Sequence, residues 1–215
     1  MTRYFVFFVL LLGTGSCLDA QDPQRFRAEV DALLVRAEKY DAEDLILFTG
    51  SSSIRMWRDL HKRFQGKNIV NHGFGGSQMS DLLFYIDELI LRHHPAKVFI
   101  YEGDNDINAG KSTEEIMDHT KQVLTRIRSD LPDIPVYFIA AKPSVSRWFL
   151  KEKYEQFNQT LRAWTEEQAD THFIDVWTPM LQDGEVRREL FKQDSLHMNK
   201  MGYDIWMEVI SPWVK

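Results

Sequence analysis

Asp194-Ser195-Leu196-His197 places a carboxylate and an imidazole three positions apart, just ahead of an apolar C-terminal segment. On a turn, that spacing lets both side chains face one way, so the acid can fix the tautomer of the ring. Imidazole is the side chain suited to general-base work at neutral pH. Ser52 stands in Gly50-Ser51-Ser52-Ser53, directly after an apolar run. A serine in a turn between a strand and a helix is exposed, and free N–H groups nearby favour negative charge. Gly76 closes the turn Gly73-Phe74-Gly75-Gly76, where a bare backbone N–H can come close to a ligand. Asn105, in Gly103-Asp104-Asn105-Asp106, offers a side-chain amide donor. A nucleophile, a base, an orienting acid and oxyanion donors are the parts that acyl transfer requires. Singly, each has a plainer reading. Ser52 suits a helix N-cap, Asn105 a turn, and Asp194 with His197 a cap beside a surface histidine.

The elements that must hold these residues alternate along the chain. Residues 24–40 carry Phe26, Val30, Leu33, Leu34 and Ala37 at helical spacing. Leu45–Phe48 is a short apolar run ending in the Ser52 turn, and Asn68–Val70 a second one ending in the Gly76 turn. Ser77–His93 reads as a helix. Lys97–Tyr101 is a third strand, ending in the Asn105 segment. Ser112-Thr113-Glu114-Glu115 has the pattern of a capping box, which predicts a helix to about Asp130. Val136–Ala140 is a fourth strand, Lys151–Ala169 a helix, His172–Val176 a fifth strand, and a last helix starts near Asn199. Short apolar strands rich in Val, Ile and Phe are those of a parallel sheet covered on both faces. In such a sheet, ligands bind beyond the carboxyl ends of the strands. The polar clusters after strands one, two and three therefore meet at one rim.

The chain has 215 residues with 26 basic and 32 acidic side chains, a formal charge of −6. That length suits one domain. At 44% hydrophobic and 27% charged, the composition is that of a folded globular protein. The acidic balance argues against a nucleic-acid partner, which needs a basic face. Arg3 precedes the apolar run Tyr4–Leu12, and small and polar residues follow it. The pattern predicts a secretory signal over 1–20, cleaved after Ala20, and a mature domain over 21–215. The run is too short to span a bilayer as a helix, so no membrane segment is expected after cleavage. Export to a periplasm or the medium follows. Cys17, the single cysteine, opens the alternative of a lipid-modified N-terminus. If it leaves with the signal, disulfides, a cysteine nucleophile and a thiolate metal site are all excluded.

Four blocks in order resemble those of the SGNH (GDSL-like) hydrolases. Gly50-Ser51-Ser52-Ser53-Ile54 is similar to the nucleophile block, and Asn71-His72-Gly73-Phe74-Gly75-Gly76 to the second. Gly103-Asp104-Asn105-Asp106 resembles the G-x-N-D block, and Asp194-Ser195-Leu196-His197 the D-x-x-H block. The pattern is most like the platelet-activating-factor-acetylhydrolase-like branch of small esterases. The resemblance spans roughly residues 44–213. It implies an α/β fold, a three-layer flavodoxin-like α/β/α sandwich with about five parallel strands. It implies a serine esterase cleaving short-chain, acetyl-type esters, with Ser52, Asp194 and His197 as the triad. The oxyanion donors would be the Ser52 and Gly76 N–H groups and the Asn105 amide. Neither metal nor organic cofactor is implied. The substrate would be a small-molecule or glycan ester. Removal of O-acetyl groups from exported polysaccharide is one alternative, and a glycan-binding relative without turnover another. The family usually has Asp where Ser51 stands, and often Arg where His72 stands. Both are candidate pocket residues, with Arg55, Lys142 and Trp148. Adjacent His93 and His94 point apart on a helix and make a poor metal pair, while Asp104 and Asp106 suit loop capping.

Overall fold

The computed structural model describes residues 22–37, 40 and 43–215. The predicted signal, Ala20 and Cys17 lie outside the described residues. Five parallel strands form the central sheet: β1 (Ile46–Gly50), β2 (Ile69–Gly73), β3 (Lys97–Tyr101), β4 (Val136–Ile139) and β5 (Thr171–Ile174). Their spatial order is β2-β1-β3-β4-β5, the flavodoxin-like order. Every residue of β1 and β4 is buried, as strands covered on both faces must be. Phe48, Phe99 and Tyr137 sit side by side on neighbouring strands. Their rings stack at 4.4 Å for each adjacent pair. Each such buried aromatic or aliphatic side chain contributes about 1.5–3 kcal/mol.

Helices cover both faces. They are α1 (Arg27–Ala37), α2 (Ser52–Arg55), α3 (Leu60–Arg63), α4 (Met79–Phe84), α5 (Ile86–Leu89), α6 (Asp104–Asn108), α7 (Thr113–Asp130), α8 (Lys151–Glu166) and α9 (Lys200–Val214). The predicted capping box opens α7. The Ser112 hydroxyl accepts the Glu115 N–H at 3.2 Å, and Glu115 accepts the Ser112 N–H at 2.7 Å. Asn199 caps α9, its side-chain oxygen accepting the Met201 N–H at 2.8 Å. The buried face of α9 carries Tyr203, Trp206, Ile210 and Val214. None of the described helices is long and apolar enough to cross a membrane.

Two local expectations change, and one element is new. The segment 77–93 is broken into α4, α5 and a 3-10 turn, Leu91–His93, rather than one helix. Tyr85 stands at the first break, its ring fully buried and its hydroxyl donating to the Pro23 carbonyl at 3.0 Å. The fifth strand stops at Ile174. Asp175 then accepts the N–H groups of Trp177 and Thr178, each at 3.0 Å, and turns the chain. A small antiparallel hairpin, β6 (Leu181–Gln182) with β7 (Glu185–Val186), follows. Its turn is Asp183-Gly184, both at positive φ, a pairing that favours tight hairpins.

Candidate active site

The turn that carries the candidate nucleophile begins where β1 runs out. Gly50 has φ +128°, and a Cβ there would lie 2.0 Å from the Tyr101 carbonyl oxygen. Only glycine lets β1 pair with β3 and turn at that point. Ser51 then donates its N–H to the same carbonyl at 3.0 Å, and Ser52 opens α2 half-buried at the rim. From the other end of the chain, Asp194–His197 arrives on the turn before α9. His197 Nε2 lies 3.0 Å from Ser52 Oγ, and His197 Nδ1 lies 2.8 Å from Asp194 Oδ2. Asp194 Oδ1 accepts the N–H groups of Leu196 at 3.0 Å and His197 at 2.9 Å. Burial pushes the Asp194 carboxyl up. The His197 N–H, its ring and the Leu196 N–H outweigh this and hold it down at about 2. An ionised Asp194 accepts, so Nδ1 carries the ring proton and Nε2 is left to accept from the serine.

The candidate oxyanion donors stand on two turns. Gly76 takes φ +78° after β2. Neither its N–H nor that of Ser52 donates to a protein acceptor among the described residues. Asn105 lies in α6 after β3, and its Nδ2 donates to the Ser77 carbonyl at 2.8 Å. That bond ties the β3 loop to the Gly76 turn. The turn is also held by Ser77 Oγ, which donates to the buried Glu102 at 2.5 Å. Two free backbone donors and a fixed amide therefore stand on the rim that carries Ser52 and His197. The arrangement can activate a hydroxyl and stabilise an oxyanion.

The sequence model of a GDSL-like lipase/acylhydrolase family matches residues 37–205, most of the chain. The chain belongs to the GDSL-like lipase/acylhydrolase family. Membership makes it a hydrolase of ester bonds. No curated protein sequence matches it. Solved structures share the fold of this GDSL-like hydrolase. A GDSL-like lipase from Bacteroides thetaiotaomicron has TM-score 0.73 at 20% identity, with 90% of this chain and 97% of that chain covered. A Streptococcus pneumonia protein, provisionally described as a platelet activating factor, has TM-score 0.78 at 19% identity, covering 89% and 95%. A catalytic mutant of an acetylxylan esterase from Geobacillus stearothermophilus has TM-score 0.64 at 13% identity, covering 80% and 94%.

In this GDSL-like hydrolase the five candidate pocket residues part company. His72 does not reach the rim. It is fully buried on β2, with Nδ1 2.7 Å from the Leu89 carbonyl and its ring edge-on to His93 at 4.7 Å. Strand alternation sends it under α5, while its neighbour Asn71 bonds the Ile54 carbonyl on the other side. Lys142 is also fully buried, and its Nζ donates to the Leu196 carbonyl at 2.9 Å. It braces the His197 turn instead of facing solvent. Ser51 is buried, and its hydroxyl has no hydrogen-bond partner among the described residues. Trp148 stacks on Trp177 at 5.9 Å and is partly covered. Arg55 is the exposed one. Its guanidinium packs on Gly75 and reaches Glu29 at 3.4 Å, and it lines a cleft of about 480 Å³ with Glu29, Arg58, Asn71 and Gly73.

The remaining candidates behave as structural groups. His93 Nε2 meets the Glu88 carbonyl at 3.0 Å, and among the described residues no cluster of three or more His, Cys, Asp or Glu is placed to hold a metal. Asp106 accepts the Met79 N–H at 3.1 Å and pairs with Lys111 at 2.9 Å. Arg147 and Tyr154 both reach Asp104 beside Asn105. Arg147 lies in the loop after β4, on the expected rim. The group it reaches depends on α6 and α8 packing together, which no local pattern reveals.

Proposed function

We propose that this GDSL-like hydrolase cleaves short-chain, chiefly acetyl, esters through a covalent acyl-enzyme on Ser52. The observation that carries this reading is the unbroken hydrogen-bond chain Ser52–His197–Asp194, at 3.0 and 2.8 Å. His197 Nε2 takes the Ser52 proton as Oγ attacks the ester carbonyl carbon. Asp194 orients the ring and stabilises the imidazolium that forms. The N–H groups of Ser52 and Gly76 and the Asn105 amide receive the oxyanion. As the C–O bond breaks, His197 gives its proton to the leaving alcohol. Water then attacks the acyl-enzyme, with His197 again as base, and releases the acid and free Ser52.

The test is hydrolysis of p-nitrophenyl acetate, butyrate and octanoate by the wild type and Ser52→Ala. Acetate turnover that disappears in the variant, with an acetyl adduct on the Ser52 peptide, supports the reading. Equal turnover by a folded Ser52→Ala variant refutes it. A second reading places the acetyl group on a polysaccharide. The fold likeness to an acetylxylan esterase favours it. Acetate release from acetylated xylan at a higher kcat/KM than from p-nitrophenyl acetate would select it.

A further inference from the structure

Asn105 has two amide protons and one carbonyl oxygen, and the structure fixes which way the amide is turned. Nδ2 donates one proton to the Ser77 carbonyl at 2.8 Å. Oδ1 accepts from Arg147 Nη2 at 3.1 Å. Turning the amide over would set Nδ2 against the guanidinium and Oδ1 against the Ser77 carbonyl, two contacts of like polarity. One orientation is allowed, and it leaves the second Nδ2 proton free.

Arg147 is itself locked. Nη1 donates to Asp104 Oδ1 at 2.6 Å and to the Asp104 carbonyl at 3.0 Å. Asp104 is buried, and it also accepts from Tyr154 at 2.5 Å and Tyr101 at 3.1 Å. Lys142 Nζ stands 3.7 Å from Asp104 Oδ2 and donates to the carbonyl of Leu196, the residue before His197. Burial raises the Asp104 carboxyl, but Lys142 and Arg147 together hold it below the usual carboxylate range. One buried carboxylate is thus shared by two cations. One cation reaches the oxyanion amide and the other the histidine turn.

We propose that Arg147 is a positioning residue for ester hydrolysis, fixing the Asn105 amide with its free Nδ2 proton toward the developing oxyanion. It acts through Asn105 and does not touch substrate. Its positive charge also polarises the amide and makes Nδ2–H a stronger donor. Only a planar fork can bridge Asp104 and Asn105 at once. A lysine ammonium keeps the charge on Asp104 but lets go of Asn105. The inference rests on the acyl-enzyme reading of the site.

Arg147→Ala leaves Asp104 short of a cation and invites misfolding, so Arg147→Lys is the informative variant. Losing a whole oxyanion donor costs about 10²–10³ in kcat. A loosened donor costs less, so Arg147→Lys is expected to lower kcat about 10- to 100-fold, with KM moving less than about threefold. In an Asn105→Ala background the same change should alter kcat by less than about threefold, because the group it positions is gone. A kcat within about threefold of wild type, or an equal loss in both backgrounds, overturns the proposal. Hydrogen exchange of the Asn105 side-chain amide, assigned by its loss in Asn105→Ala, needs no turnover. It should be slow in the wild type and at least about tenfold faster in Arg147→Lys. If the wild type hydrolyses no ester, the esterase reading falls, and unchanged amide exchange would still overturn the positioning role.

Discussion

Replacing Asp194 by Asn should disable the site without disturbing its shape. Asp194 Oδ1 is held by the N–H groups of Leu196 and His197, at 3.0 and 2.9 Å. An asparagine keeps its carbonyl oxygen on those two donors, since its NH₂ cannot accept them. The NH₂ is then forced onto the Oδ2 position, 2.8 Å from His197 Nδ1. Nδ1 must become the acceptor there, so the ring proton moves to Nε2. Nε2 faces Ser52 Oγ at 3.0 Å and has to accept its proton. The variant therefore carries the wrong tautomer for a general base. In the triad of the serine proteases this change costs about 10⁴ in kcat, or about 5.5 kcal/mol of transition-state stabilisation. The same loss is expected here, with KM within about threefold, because no substrate contact is removed. The turn keeps both backbone hydrogen bonds, so the melting temperature should shift by only a few degrees. Steady-state hydrolysis of p-nitrophenyl acetate measures kcat and KM, and imidazole ¹⁵N spectra report the tautomer directly. A folded Asp194→Asn enzyme within about tenfold of wild-type kcat would refute the assignment of Asp194 as the group that sets the tautomer.

Asn105→Ala should lower kcat about 10²–10³-fold on the same substrate, and an unchanged kcat would remove that amide from the oxyanion site. Burial holds the His72 imidazole down at about 4, whereas the unfolded chain titrates it near 6.5. Between those values the unfolded chain binds more protons, so this contribution is complete above about pH 6.5 and is lost as the pH falls toward 4. It amounts to roughly 3 kcal/mol, and His72→Gln should flatten the fall in melting temperature between pH 7 and pH 4. An equally steep fall in that variant would assign the acid sensitivity elsewhere. Gly50→Ala should destabilise the fold by more than about 3 kcal/mol in urea unfolding, because its methyl would overlap the Tyr101 carbonyl. A midpoint near wild type would contradict the strand-end geometry.

The residue types and order along the chain determined the layered α/β architecture and the members of the candidate site. The hydrophobic pattern separated five short, largely apolar strands from the helices, since a strand covered on both faces offers few polar positions. The capping residues Ser112 and Asn199 carried their helix starts in local hydrogen bonds, which depend on neighbours only three residues away. Ser52, Asn105, Asp194 and His197 stood out because each lies in a polar block after a strand or before a helix. The break at Tyr85 was less legible, because a ring buried against Phe74 and a hydroxyl reaching Pro23 are long-range causes. His72 shows what period two hides. It sits in a block of rim residues, yet its register in β2 turns it into the core beside His93. Lys142 and Arg147 belong to the same class. A buried cation is stable only against a carboxylate and carbonyls brought from other elements. Asp104 on α6 and Leu196 before α9 are those partners, and the packed sheet brings them together. Sequence period is a local property, whereas the pairing of buried charge is decided by which elements pack together.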